Sequence, residues 1–322
     1  TVTDANLVLG RLDPKLFHGG RTALDVDAAR AAVKRIGDKL KLSVEDAALG
    51  IVKVVNANMV KGIAATTVQR GIDLREFALL SFGGAGGVHA IDIADALDMD
   101  EVIVPPFPGV FSALGLLAAD VRHDYVTALG GVTSTAADPV KIERAFADME
   151  SDARRVLAAE GFTGEATRLT RSADLKVVGQ TYELTVPLPQ SGAVTADGIA
   201  ALVQSFGALY RERYAFFFEG EAIELVNLRL AASGLNEPIR LATFDPGGSD
   251  PSSARIGRRP IYFEKRGFVE FDVFQRDRLR PGMMLAGPAI VEEPTSVTLI
   301  TPGMTASVAP DLGLFVKLRG RS

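Results

Sequence analysis

Cysteine and tryptophan are absent from the 322 residues, and only three histidines occur: His18, His89 and His123. Without cysteine there is no disulfide, no thiolate metal site and no cysteine nucleophile. The histidines stand far apart and none has a ligand spacing such as H-x-x-x-H, so no metal site is expected. Lys and Arg never form a long block and the formal net charge is −5, which argues against a nucleic-acid partner. The longest apolar stretches, such as Val110–Ala119, fall short of the ~18 residues that cross a bilayer. No basic segment leads into an apolar one at the N-terminus, so neither a signal peptide nor membrane association is expected, and a cytoplasmic protein fits best. What is abundant is apolar side chain, at 47%, enough to build cores. The length suits two or three domains at roughly 100–200 residues each.

Residues 1–25 read as irregular, with Asp13-Pro14 and Gly19-Gly20 as turn signals. Asp27–Leu40 reads as an amphipathic helix. Ser43 is placed as an N-cap, with Glu45 and Asp46 in the first turn, where the helix dipole favours negative charge. From there to Arg70 the residues Ala48, Ile51, Val52, Val55, Met59 and Ile63 keep helical spacing, and Gly71 is a suitable C-cap. Phe77–Phe82 is a short apolar run, predicted as a central strand covered on both faces. A helix over Val88–Leu97, a strand over Glu101–Val104 stopped by Pro105-Pro106, and a helix over Phe111–Ala119 complete an α-β-α-β-α order.

The character changes near residue 125. Gly130–Asp138 reads as a connection, followed by a helix carrying Ile142, Phe146, Met149, Val156 and Leu157. Asp174–Leu188 reads as a long strand or a bent strand pair with Gly179 as a bulge. A helix over Ile199–Tyr214 and a strand over Ile223–Ala232 follow. Asp245–Ala254 reads as a linker, and short strands beyond it are divided by Pro281-Gly282, Gly287-Pro288 and Pro302-Gly303. The expected domains are 1–128 (α/β), 129–244 (α+β) and 245–322 (small, all-β).

The sharpest local signal is Phe82-Gly83-Gly84-Ala85-Gly86-Gly87, between a strand and a helix. Glycine there permits a positive φ and lets a ligand lie against bare backbone, while the helix start offers free N–H groups. A tight turn with no ligand remains the plain alternative. A P-loop string, G-x-x-x-x-G-K-[ST], does not occur. A Rossmann turn would need glycine or alanine where His89 stands, and an acidic residue where the next strand instead ends in Pro105-Pro106. The turn is more similar to that of actin-like ATPases, in which a strand ending in Gly-Gly-x-Gly contacts adenosine. In those proteins two Asp-x-Gly hairpins grip the phosphates, and residues 1–76 contain neither. Asp245-Pro246-Gly247-Gly248-Ser249 resembles one but reads as a connector.

Taken together, the strings Thr1–Leu12, Asn56-Ala57-Asn58-Met59, Phe82–Gly86, Val104-Pro105-Pro106, Pro108–Gly115, Asp120–Asp124, Val178–Leu184 and Gly287–Glu292 occur in an order and spacing that resemble the hydantoinase A/oxoprolinase family. Members often read Gly-Pro-Leu-His-Ala where this chain has Gly86-Gly87-Val88-His89-Ala90. The chain also begins where the second half of those proteins begins, which implies a split gene or a fragment of a longer product. The resemblance implies a partial actin-like (ribonuclease-H-like) ATPase domain. It implies ATP and Mg²⁺ held mainly by the missing N-terminal half with its phosphate hairpins. A hydantoinase B-type subunit and a small-molecule substrate are the other implied partners.

On that resemblance Gly83, Gly84, Ala85 and Gly86 form the adenosine side. Asn56 presents an amide to the nucleotide or to the missing half, or is a plain helix amide. Lys61 reads as solvated, His89 as a structural histidine within reach of a ligand, and His123 as part of a charge network. Gln180 and Glu183 are expected to anchor a bent strand, and Tyr210, Tyr214 and Phe216–Phe218 to pack a core or an interface. No residue is assigned to catalysis. The whole enzyme would phosphorylate the carbonyl-type oxygen of a cyclic amide so that water opens the ring. The alternatives are a subunit of an ATP-dependent ketone carboxylase and a non-catalytic assembly piece.

Overall fold

The structure is a computed structural model that describes residues 1–188, 193–217 and 220–318. Phe218 and residues 319–322 of the expected C-terminal unit lie outside the described residues. In chain order the first elements are α1 (Val2–Val8), α2 (Val26–Leu40), α3 (Val44–Thr66), β1 (Leu79–Leu80), α4 (Ala90–Ala96), β2 (Glu101–Val104) and α5 (Phe111–Ala118). Then come β3 (Val121–Thr133), α6 (Pro139–Ala159), β4 (Thr167–Val177), β5 (Leu184–Pro187), α7 (Ala196–Tyr214) and β6 (Ile223–Gly234). The remainder is all strand: β7 (Arg255–Phe263), β8 (Gly267–Gln275), β9 (Met284–Ala286), β10 (Ala289–Glu293), β11 (Ser296–Ile300), β12 (Thr305–Val308) and β13 (Leu314–Lys317). The chain divides into two compact units, one of residues 1–117 with 240–322, the other of residues 118–239.

In the first unit, three helices form a layer around Leu7, Leu9, Val33, Ala48 and Val52. α1 replaces the first part of the irregular segment expected at residues 1–25; the rest, apart from a 3₁₀ turn at Phe17–Gly20, is irregular as read. Thr1 Oγ1 accepts a hydrogen bond from the Asp4 N–H at 3.2 Å and the Asp4 carboxylate accepts one from the Thr1 backbone nitrogen at 2.6 Å, so a capping box starts the helix. α3 starts as expected, with Ser43 Oγ accepting from the Asp46 N–H at 3.0 Å. The helical stretch Val44–Arg70 is long and apolar enough, at a mean hydropathy of 1.3, to cross a membrane, contrary to the expectation that no segment is. Its first half buries Ala47, Ala48, Val52 and Asn56.

A five-stranded sheet runs β1-β2-β13-β12-β9, with β1 parallel to β2 and β13 antiparallel to it. Leu314 faces Val104 and Lys317 faces Glu101, so the C-terminal strands complete the sheet begun by β1 and β2. This corrects the separate unit expected at 245–322: Val102, Val104, Leu285, Leu314 and Val316 share one core with Ala90 and Ile91 of α4. β1 is an edge strand with a neighbour on one side, not the covered central strand expected, and Leu80 and Phe82 are 45% and 46% exposed. A second sheet, β11-β10-β8-β7, closes over Ile261, Phe271, Ile290 and Leu299.

The second unit is an antiparallel sheet, β3-β6-β4-β5, with α6 and α7 on its apolar face around Phe146, Leu157, Leu175, Phe206 and Leu228. β3 runs through the glycines expected to form a connection. A register shift between Ala128 and Val132 absorbs Gly130 and Gly131, both at positive φ. Asp174–Leu188 is a strand pair as read, but Gly179 lies in its turn and the register shift falls at Asp174/Leu175. Tyr210 is buried and donates to Gln180 at 3.2 Å. His123 pairs with Glu160 at 2.9 Å, and Arg122 with Asp124. Asp174, almost wholly buried, accepts hydrogen bonds from Thr185, Asn227 and Arg229 at 2.7–2.8 Å.

Candidate functional site

In α/β sheets, ligands gather at the carboxyl ends of parallel strands, where turns converge. Here β1 leads into the glycine turn and β2 into Pro105–Gly109, and the Gly83 N–H donates to Pro108 O at 2.7 Å. The β10–β11 hairpin forms a third wall. Its Thr295 carbonyl lies 3.1 Å from where a Cβ on Gly84 would stand, and its Thr295 side chain presses on Gly109. A Cβ on Gly87 would meet Val297 O at 2.5 Å and Thr298 Cα at 2.9 Å, and one on Gly86 would meet Ser81 Oγ at 2.9 Å.

The glycines therefore divide. Gly84, Gly86 and Gly87 are small because the chain's own atoms crowd them. Gly83 alone combines a positive φ (88°) with open space on its side-chain side. A strand more than two hundred residues downstream sets most of what looked like room for a ligand. The N–H groups of Val88 and His89 donate to Ala85 O and Gly86 O, so the helix start expected to offer them is a 3₁₀ turn already bonded.

Beside the turn lies a cleft of about 520 Å³. Met59 and Ile63 of α3 form one wall, Leu80 and Phe82 a second, and Ala85, Gly86, His89 and Ile93 the floor. Thr66, Ser81 and His89 are its polar side chains, and the Thr66 hydroxyl already donates to Ile63 O at 3.0 Å. Volume and lining suit a flat, largely apolar group, since small-molecule sites span about 300–1,000 Å³ with few polar groups.

Asn56 lies elsewhere. It is buried and lines a second cleft of about 670 Å³ on another side of α3, with Arg11, Lys53, Lys61, Asp92 and Glu264. Both ends of its amide are engaged: Nδ2 donates to Asp92 at 3.1 Å, and Oδ1 meets His89 Nδ1 at 2.8 Å. Burial pushes the Asp92 carboxyl up against the pull of Arg11, 3.9 Å away. Burial, then the nearby Arg11 charge, push His89 down to about 4, so its ring is neutral near pH 7.

Glu293, in the hairpin against the glycine turn, was missed because Glu292-Glu293-Pro294 reads as surface charge. Burial raises its carboxyl to about 7 despite the opposing charge of Arg276. A raised folded-state value means the stabilising protonated form is complete below the unfolded value and is lost as pH rises through about 7. Glu293→Gln is expected to raise the melting temperature by a few degrees at pH 8 and to leave it nearly unchanged at pH 5, as read by calorimetry. Equal shifts at both pH values would refute this.

The chain is thus a mixed α/β protein with a largely apolar cleft between α3, β1 and α4. Residues 1–125 match the hydantoinase/oxoprolinase family and residues 132–315 match the hydantoinase/oxoprolinase C-terminal domain, so the chain belongs to the hydantoinase/oxoprolinase family. It is 36% identical over 308 residues to an uncharacterized protein of Methanocaldococcus jannaschii, covering 96% of this chain and 43% of that one. It is 30% identical to caprolactamase subunit alpha of Pseudomonas jessenii, covering 96% of this chain and 45% of that protein. Among solved structures, a nucleotide-free acetone carboxylase from work on ATP-dependent acetone carboxylation matches with a TM-score of 0.82 at 25% identity, over 98% of this chain and 46% of that one. The chain thus spans less than half the length of these relatives.

Proposed function

We propose that this chain supplies the purine side of an ATP-dependent subunit that activates the carbonyl oxygen of a cyclic amide by phosphorylation and commits it to hydrolysis. The observation that carries this reading is the purine-sized cleft between α3, β1 and α4, beside the glycine turn, in a chain of this family. ATP, when bound, would supply the phosphoryl group. This chain's part is to hold the base between α3 and Phe82, with Gly83 leaving space for the sugar. On this proposal the donors for Mg²⁺ belong mainly to another segment, together with the phosphate hairpins. In this reading the region is the partial actin-like domain, Asn56 acts behind the cleft rather than in it, and the exposed Phe107, Leu116 and Leu117 (70–78%) suit docking of that segment.

Alone, the chain is expected to turn over no ATP. Joined by a segment carrying the phosphate hairpins and by a hydantoinase B-type subunit, it should release ADP when given a hydantoin, 5-oxoproline or caprolactam. Robust ATP hydrolysis by the lone chain would overturn the assignment. The likeness to acetone carboxylase supports a second reading, activation of a ketone or bicarbonate, in which ADP release requires a ketone with bicarbonate. If adding the hairpin segment yields no activity with either substrate set, the chain is an assembly piece.

A further inference from the structure

We infer that His89 is a specificity residue for the 6-amino group of adenine, and that Asn56 sets the tautomer that makes it one. The inference rests on the cleft being a purine site and adds which purine it takes.

The argument begins at Asp92. A carboxylate only accepts, so the Asn56 group facing it at 3.1 Å is the NH₂. That leaves the Asn56 carbonyl oxygen facing His89 Nδ1 at 2.8 Å, and this nitrogen must carry the hydrogen. In a neutral ring the other nitrogen, Nε2, then holds a lone pair and can only accept. His89 lines the cleft, and among the described residues Nε2 has no hydrogen-bond partner. Arg11, which pairs with Asp92, fixes the far end of the chain of contacts. A nearly buried acceptor thus waits at the floor of a largely apolar cleft.

A ligand group meeting such an acceptor must be a donor, because an opposed acceptor or a bare C–H leaves it dry and unpaired. Ribose, with several hydroxyls, would need more partners than Ser81 and His89 offer once the Thr66 hydroxyl is spent on Ile63 O. A flat base with one exocyclic donor fits. Adenine carries its amino group at position 6; hypoxanthine and guanine could turn a ring N–H or a 2-amino group to Nε2, but only by leaving the oxygen they carry at position 6 unpaired against the apolar lining. The cleft should therefore prefer adenine on the strength of one hydrogen bond.

The test is binding of adenosine, inosine and purine riboside to the 322-residue chain, followed by NMR titration, with the ¹⁵N shifts of His89 recorded in the same samples. The expected result is adenosine binding on the order of tenfold more tightly than either analogue. His89→Phe should bring that ratio close to one, and the unmutated protein should show hydrogen on Nδ1. Asn56→Leu should shift the ring toward mixed tautomers and weaken the preference, which a merely structural asparagine would not do. Equal binding of all three ligands by the unmutated protein overturns the inference while leaving a purine site. Hydrogen on Nε2 overturns it as well, and absence of binding by any of the three sinks the cleft reading with it.

Discussion

Gly87→Ala is expected to cost about 3 kcal/mol of stability and, at roughly 2–4 °C per kcal/mol, to lower the melting temperature by roughly 6–12 °C. Its Cβ would stand 2.5 Å from Val297 O and 2.9 Å from Thr298 Cα, both backbone atoms of β11, which its pairing with β10 holds in place. The comparison that makes the experiment decisive is Gly83→Ala. There the side chain meets open space and only the left-handed φ of 88° is strained, which costs about 1–2 kcal/mol. Gly50, inside α3 with nothing within 4 Å, should gain about 0.5–1 kcal/mol as alanine. If thermal unfolding ranks Gly83→Ala as the most damaging of the three, the division of the turn into a packed side and an open side is wrong.

The second large effect lies in the other unit. Asp174→Ala is expected to cost about 2–3 kcal/mol, because Asn227 and Thr185 lose their acceptor and the Arg229 guanidinium its partner. The figure is held below that of a fully buried pair because Arg229 is 43% exposed and can turn to water. Burial by itself would raise the Asp174 carboxyl, yet the hydrogen bonds from Asn227, Thr185 and Arg229 outweigh it and hold the group below its usual range. A lowered folded-state value stabilises above the unfolded value near 3.9 and fades as pH falls through the folded one. The deficit of the variant relative to the parent should therefore shrink as pH falls below the unfolded value near 3.9. A deficit that stays constant down to pH 2 would show that the carboxylate charge is not what holds the three donors.

How much of this was legible in the residues varies with distance along the chain. α3 could be read because its signals are local: Ser43 caps it and the apolar spacing runs inside it. α1 carried an equally local signal in Thr1 and Asp4, overshadowed by the turn residues after it. β3 was hidden because Gly130 and Gly131 usually end a strand, and the register shift that accommodates them depends on β6. The glycine turn itself stood out, but the reason for each glycine did not, since Thr295, Val297 and Thr298 come from a hairpin far downstream. Asn56 was singled out for presenting an amide, and the partners that use that amide lie on α4. The C-terminal strands looked self-contained because their turns are local, whereas their pairing with β2 is not.

That last pairing carries a consequence for synthesis. Residues 101–104 leave the ribosome about 200 residues before Leu314–Lys317, the strand that lies beside them. Closing so long a loop is slow, although each doubling of its length adds only about 0.6 kcal/mol. In the interval residues 118–239 have every strand of their own sheet and can fold while still tethered. The nascent first unit meanwhile has β1 and β2 with an unfilled edge, a stage at which a chaperone that covers apolar strands would find its grip. A chain cut a few residues before Leu314 would leave that edge open for the life of the protein, so the loss of one distant strand would be felt in the sheet that holds the glycine turn.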